Sequence, residues 1–467
     1  MLKHKRLYAI IFTKLENKKE NMFNKKTVKD ASLKDKVVLL RADYNVPISY
    51  DDNGSAHILN DFRIKASLPT IEYLINQGVK KIIIVSHLGR PQSVESLADI
   101  DELEKLPNGK RKYSLMPVFK HLKNLLQERD YYFPMNFHAT PIFSRTHYPV
   151  PIAKADDDYK IEMLENIRFC KDEKRNSLGL AQALKQITGA GIFVQDGFGV
   201  VHRGHSSTEA IAKIMPSYAG LLIEKEVGTL YSMLTTPKRP FIAVLGGGKI
   251  SDKLPLIEKF IALSDKILIT GAIANTFLQY KGYNIGKSKI EDGQTEIIES
   301  IYEKAIRKVG IQNIDNFIIL PSDIAVKVEG TNSKRIDKDL ADINNNDSIL
   351  DIGHKTIRMV KNELKNAETV IWNGTAGVTE LEGFKAGSAA IAESMHEIAK
   401  NGGTSIIGGG DTSSFVLNWC EDKKVDANDF SLISTGGGAT LELISGEILP
   451  GLEILPSKRR NINNRSK

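Results

Sequence analysis

The stretch KVVLLRADYN (36–45), followed by RIKASLPTIEYLINQG (63–78) and KKIIIVSHLGRP (80–91), decides the fold class. Two runs rich in Val, Leu and Ile, each closing on a polar loop, flank a segment whose apolar residues recur at helical spacing. Ile64, Leu68, Ile71, Leu74 and Ile75 fall on one face of that helix, Gly78 serves as its C-cap, and Pro69 is expected to kink it. The unit reads as strand, helix, strand, with parallel strands and a right-handed crossover.

The later half repeats this grammar. FIAVLGGGK (241–249), DKILITGAIANTF (265–277), NFIILPSD (316–323), TVIWNGTAG (369–377), TSIIGGGD (404–411) and FSLISTGGGAT (430–440) each read as a strand running into a glycine-rich or polar loop. Ligands of open α/β sheets bind beyond the carboxyl ends of the strands, so the six loops are expected to share one crevice of nucleotide size.

At 467 residues the chain exceeds the roughly 250–300 residues at which a single core stops growing. The expected class is α/β, with two Rossmann-like three-layer αβα domains, mostly parallel sheets and a hinge between them. The domains are placed at 22–206 and 225–445, with the hinge at 207–224, where Pro216, Ser217 and Gly220 interrupt the pattern. Residues 92–112 and 135–160 lack periodicity and read as surface excursions.

A net charge of +7 raises the question of nucleic-acid binding. Residues 1–21 hold six Lys or Arg against Glu16 and Glu20, and the tail 457–467 holds Lys458, Arg459, Arg460, Arg465 and Lys467. The ends carry more than the whole excess, so the body is slightly acidic and a nucleic-acid-binding core is not expected. Both ends read as disordered basic extensions. The first 21 residues are Lys-rich, lack Ser and lack a small-residue cleavage site, unlike a secretory or transit peptide. No apolar run is long enough to span a bilayer. Cys170 and Cys420 lie far apart and outside metal-ligand spacing, so a reducing compartment and a cytoplasmic location are expected.

The chemistry-bearing residues sit at strand ends. Loops 246–248, 408–410 and 436–438 can offer backbone amides at helix starts, where phosphate is the natural guest. A single such triplet is commonly only a tight turn; three on successive strand ends point to a site. Lys249 and Lys253, four apart, would share a helical face and reach neighbouring phosphates. Asp411, after Gly410 and before Thr412, suits Mg²⁺ held between protein and phosphate, or equally a helix cap. No Walker loop is present. The first half offers Arg63, His87, Arg90, Arg168, His202 and Arg203, suited to a small, doubly anionic ligand, with Asp43 and Asn45 as acceptors for a ligand hydroxyl.

These pieces resemble the phosphoglycerate kinases from about Lys25 to Leu455. The resemblance is carried by RADYNVP (41–47), DFRIKASLPTI (61–71), SHLGRP (86–91), LENIRF (164–169) and DGFGVVHRGHSST (196–208). The second half adds RPFIAVLGGGKISDK (239–253), LDIGHKT (350–356), WNGTAGVTELE (372–382), GGGDTS (408–413) and STGGGATLEL (434–443). What the resemblance implies is reversible transfer of a phosphoryl group from 1,3-bisphosphoglycerate to ADP, giving 3-phosphoglycerate and ATP, with Mg²⁺, domain closure and a monomeric enzyme. By motif, Asp43, Asn45, Arg63, His87, Arg90, Arg168, His202 and Arg203 match the family's acid site. Lys249, Lys253, Gly271, Asn373, Glu380, Gly408, Gly409, Gly410, Asp411 and Thr412 match its nucleotide site, with Asp411 at the metal, and Arg63, Lys249 and Lys253 are the implied catalytic cations. The family also implies that 446–456 returns to the first domain.

Departures from the family pattern are Thr270, Ala272, Thr375 and Thr379 on the nucleotide side, where Thr270 and Ala272 add bulk near the base, and Gln195, Gly197, Val200 and Val201 on the acid side. Two other classes stay open: a non-catalytic relative acting as a binding or scaffold protein, and a binder of acidic surfaces through the basic ends. A dinucleotide dehydrogenase is disfavoured, because no Gly-x-Gly-x-x-Gly follows the first strand.

Overall fold

The computed structural model describes residues 23–144, 158–328 and 334–458; the readings of 1–21 and of nearly all the basic tail lie outside them. The chain divides into two compact units: one runs up to Gly228 and resumes at Ile448, and the other is Thr229–Glu447. The division falls inside the helix Leu221–Thr235.

Apart from a short antiparallel hairpin of Ile48–Tyr50 with Ala56–Ile58, the main sheet of the first unit has six strands among the described residues: β1 (Val37–Arg41), β2 (Lys81–Val85), β3 (Met135–His138), β4 (Ile161–Leu164), β5 (Ile192–Gln195) and β6 (Ser217–Ala219). They lie in the order β3-β4-β2-β1-β5-β6 with every pair parallel. Strands buried on both faces read as continuous apolar runs, as VVLLR and KIIIV do. Successive residues then serve opposite layers. Val38, Leu40, Ile82, Ile84 and Met163 pack against the helices Phe62–Asn76 and Met116–Gln127, whereas Leu39, Ile83, Val85 and Phe193 pack against the helix Leu178–Thr188. Fully burying each such side chain contributes about 1.5–3 kcal/mol.

The helix Phe62–Asn76 runs continuously through Pro69; Ile64, Leu68, Ile71 and Leu74 are buried as expected, and Ile75 only partly. The excursion expected over 135–160 is corrected at its start. Met135–His138 forms the edge strand β3, half-buried and without the Val/Ile alternation that marks the other strands. Residues 92–112 remain loop and a short 3₁₀ turn at Leu97–Glu102.

The second unit has β7 (Phe241–Leu245), β8 (Lys266–Ile269), β9 (Ile318–Ile319), β13 (Thr369–Asn373), β14 (Thr404–Gly408) and β15 (Leu432–Ile433), in the order β9-β8-β7-β13-β14-β15, again all parallel. A separate antiparallel sheet, unread in the sequence, comprises β10 (Asp323–Val328), β11 (Arg335–Asp339) and β12 (Asp347–Ile352), with β10 central. Among the described residues no helix is long and apolar enough to cross a membrane.

From Ile448 the chain rejoins the first unit. The Gly451 amide donates to Val201 O (2.8 Å), Lys26 N to Pro456 O (2.8 Å) and Lys458 N to Asn24 O (2.8 Å), so the described start of the basic tail is paired. Gln195 and Val201, two of the residues that depart from the family pattern, face this returning segment; an added Cβ on Gly451 would sit 3.3 Å from Gln195 Nε2 and 3.1 Å from Val201 Cα.

Candidate functional site

In the first unit the predicted residues gather beyond the carboxyl ends of β1, β2, β4 and β5. Asp43 lies just past β1, buried, with Oδ2 3.4 Å from Arg63 Nη1 and Oδ1 3.8 Å from His87 Nδ1. Arg63 sits in the first turn of the helix Phe62–Asn76 and donates to Asn45 O (2.8 Å). The Asn45 side chain differs from expectation: its Oδ1 already accepts the Gly89 amide (2.7 Å), leaving its NH₂ as the group free to meet a ligand. Arg168 donates through Nη1 to Gly89 O (2.8 Å), while its Nε is buried without a partner. His202 Nδ1 is buried and unpaired as well. Arg90 and Arg203 stand exposed in the loops after β2 and β5.

The field explains the protonation states. Burial, then Arg41, Arg168 and Arg63, hold His87 well below the usual imidazole range. Burial and Arg203 lower His202, and burial with Arg41 and Arg168 takes His205 to about 3. The imidazoles are therefore neutral at pH 7 and can donate or accept without adding charge. Burial, then Arg41, lowers Arg168 to about 10, so it keeps its proton. Guanidiniums gathered round one carboxylate, with buried donors unpaired, form a site short of negative charge.

Sequence reasoning missed the support behind it. Arg41, at the end of β1, is fully buried and donates through Nε to Ser207 Oγ (2.8 Å), which donates to Glu173 Oε1 (2.7 Å). Arg41 Nη2 lies 3.2 Å from His87 Nδ1, which must accept there; the ring proton is thereby placed on Nε2. The available signal was an Arg ending a strand that is otherwise apolar.

In the second unit the expected convergence of loops is present. Gly247, Gly248, Gly271, Pro321, Thr375, Glu380 and Asp411 line one cavity of about 230 Å³. The last loop does not line it but packs on the neighbouring loop, since an added Cβ on Gly437 would sit 3.1 Å from Gly410 N. Lys249 and Lys253 do not share a helix face. Lys249 is exposed in the loop before a 3₁₀ turn at Ser251–Lys253, and the α-helix begins only at Leu254, ahead of Pro255. Lys253 turns inward, donating to Gly246 O (2.5 Å) and Asn373 O (3.0 Å); burial lowers it to about 8, against the opposing pull of Asp411.

Glycine is required where backbones cross. Gly374 has φ +94° and an added Cβ would lie 2.2 Å from Gly246 O; Gly271, at φ +63°, would meet Gly247 N at 2.6 Å. Thr412 is buried and its Oγ1 accepts the Gly374 amide (2.8 Å), so it braces the loop. Asn373 Nδ2, 3.0 Å from an added Cβ on Gly409, is buried without a partner. Gly409, not Asp411, caps the helix Gly410–Lys423, and Asp411 projects exposed from its first turn. Gly408 ends β14 beside Asn373. Thr270 spends its hydroxyl on Leu245 O (3.2 Å), so of the two residues expected to add bulk only Ala272 lines the cavity, alongside Thr375.

Residues 28–447 match the family model for phosphoglycerate kinase. Phosphoglycerate kinases of Chloroflexus aggregans and Enterococcus faecalis are 38% and 39% identical, covering 92% and 93% of this chain and 99% and 100% of their own lengths. The structure of phosphoglycerate kinase from Coxiella burnetii superposes with a TM-score of 0.72 at 32% identity, over 92% of this chain and 98% of that one. With the match spanning both sheets and the glycine loops between which Lys253 is held, this chain belongs to the phosphoglycerate kinase family.

Proposed function

We propose that the protein catalyses reversible phosphoryl transfer between 1,3-bisphosphoglycerate and ADP, yielding 3-phosphoglycerate and ATP. The observation that carries the reading is the pairing of an anion-poor pocket of Arg63, Arg168 and neutral His87 with a separate glycine-walled cavity beside Lys253.

In the direction of ATP consumption the nucleophile is the carboxylate of the acid. With a pKa near 4 it is ionised at pH 7, so no general base is needed. The residues therefore position and neutralise. Arg168 and His202 hold the acid through the donors that stand unpaired, Asn45 donates its NH₂ to a hydroxyl, and Arg63 faces the transferred group. Arg90 and Arg203, exposed in the loops after β2 and β5, complete the phosphate grip. Lys249 and Lys253 neutralise charge on the nucleotide phosphates, and the peptide amides at Gly408–Gly410 add the helix N-terminus.

Mg²⁺ fits this arrangement. Among the described residues no three acidic or imidazole groups could hold a metal by themselves, but Mg²⁺ keeps waters and takes one or two carboxylates plus substrate phosphates. Asp411, exposed at the cavity lip and electrostatically coupled to Lys253, supplies such a carboxylate. Bound there, the ion would neutralise phosphate oxygens.

Transfer requires the two half-sites to meet, so we assign a hinge motion to the segment 207–224 and its helical continuation. The enzyme acts as a monomer, as the family pattern implies, and in the cytoplasm, where two buried, unpaired cysteines suit a reducing compartment. The test is turnover of 3-phosphoglycerate with Mg·ATP, coupled to consumption of the bisphosphate. Absence of turnover in folded protein, with GTP also tried, would return the non-catalytic reading.

A further inference from the structure

The cavity of the second unit has two kinds of wall. Its faces are glycine backbone and apolar side chains, among them Gly247, Gly271, Ala272, Ile324 and Val378, the lining of a slot for a flat ring. Neither Lys249 nor Lys253 lines it, and of the groups assigned to the phosphates and their metal only the Asp411 side chain reaches its lip, so the rest of the slot is left to the base. Its buried acid, Asp351, is already taken by Arg335 (2.8 Å) and the Gly387 amide (2.9 Å). One cation does line the slot: Lys289, which no motif singled out.

Lys289 is held at its root and free at its tip. Asn275, 2% exposed, donates through Nδ2 to Lys289 O (3.1 Å), and its Oδ1 is buried without a partner. Two residues on, Glu291 accepts the amides of Ile250 (2.8 Å) and Ser251 (3.0 Å), lacing the segment to the glycine loop. The ammonium lies over that loop, 3.4 Å from the place a Cβ on Gly248 would take, and no ion pair holds it among the described residues.

We infer that Lys289 is a base-specificity residue that turns the slot towards guanine nucleotides alongside adenine ones. An ammonium has three donors and no acceptor. Guanine presents two adjacent acceptors, O6 and N7, to such a donor, whereas adenine places an amino donor beside N7. The glycine and apolar faces do not distinguish the two purines, so the cation at the rim decides. The inference rests on the nucleotide reading proposed above.

The test is calorimetric binding of ADP and GDP to the full chain, in wild type, Lys289→Met and Lys289→Arg. Lys289→Met is expected to lower the GDP-to-ADP ratio of association constants about tenfold, and Lys289→Arg, which keeps the donors, to hold it. A ratio unchanged in Lys289→Met overturns the inference in favour of a solvated lysine; equal loss for both ligands overturns it in favour of a phosphate contact. Binding needs no turnover. A selective loss of GDP in a chain that transfers no phosphoryl group would sustain the inference and sink the kinase reading, and a wild type that binds neither diphosphate would sink both.

Discussion

The two halves of the site are built from different materials. In the first unit the ligand-facing surface is side chains, with Arg63, Arg168, His87 and His202 supported from behind by the buried Arg41–Ser207–Glu173 chain. In the second it is mostly backbone, with glycine loops from β7, β8 and β13 approaching too closely for a Cβ and one lysine held between two carbonyls. A site of side chains fails when a partner is removed, because a charge is stranded. A site of backbone fails when an atom is added.

The largest effect separating the two should come from Arg41→Met. Among the described residues it leaves the buried Glu173 with hydrogen bonds from Ser207 and with the neutral His205 ring 3.6 Å away, and breaking a buried charge network in this way costs about 3–5 kcal/mol. Urea unfolding should show the loss as a lower midpoint, and a midpoint within experimental error of wild type would mean that Arg41 is not what balances Glu173.

Next is Arg63→Ala, which removes the half-buried cation 3.4 Å from Asp43. By analogy with a lost oxyanion donor, about 2–4 kcal/mol of barrier should go, seen as a fall of 10²–10³ in kcat. A change confined to KM for the acid would reassign Arg63 to ground-state binding.

The backbone side is tested by Gly374→Ala. A residue other than glycine at φ +94° carries about 1–3 kcal/mol of strain, and the methyl group would also push Gly246 O away from Lys253. Nucleotide KM should rise while acid KM holds; equal changes in both would deny that the half-sites are independently built.

This contrast also governs what could be read in the sequence. The parallel βα units were legible because doubly buried strands leave unbroken runs such as KIIIV, and the site cations because they stand at strand ends. The edge strand Met135–His138 and the sheet of β10, β11 and β12 were not, since neither carries a continuous Val/Ile run and pairing across long separations leaves no local mark. Residue identities told which groups were present and little of what they were already bonded to. Asn45 Oδ1, Thr412 Oγ1 and Thr270 Oγ1 are all spent inside the protein, a fact that only the packed backbone reveals. Arg41 was passed over because its role is to hold other residues in place.

The smallest effect is the most diagnostic of the lysine. Burial takes Lys253 from 10.5 to about 8, so at pH 7 it is charged and by pH 9 it is mostly neutral. kcat/KM for the nucleotide, which reports the free enzyme, should fall about fivefold between pH 8 and 9, as the cation is lost. Stability should move the other way. Between pH 8 and 10.5 the unfolded chain binds more protons at this position than the folded one, so the contribution of Lys253 to unfolding free energy rises with pH. Lys253→Met, which removes the titrating group, should abolish both trends, and a wild-type pH limb that survives the substitution would assign it to another group.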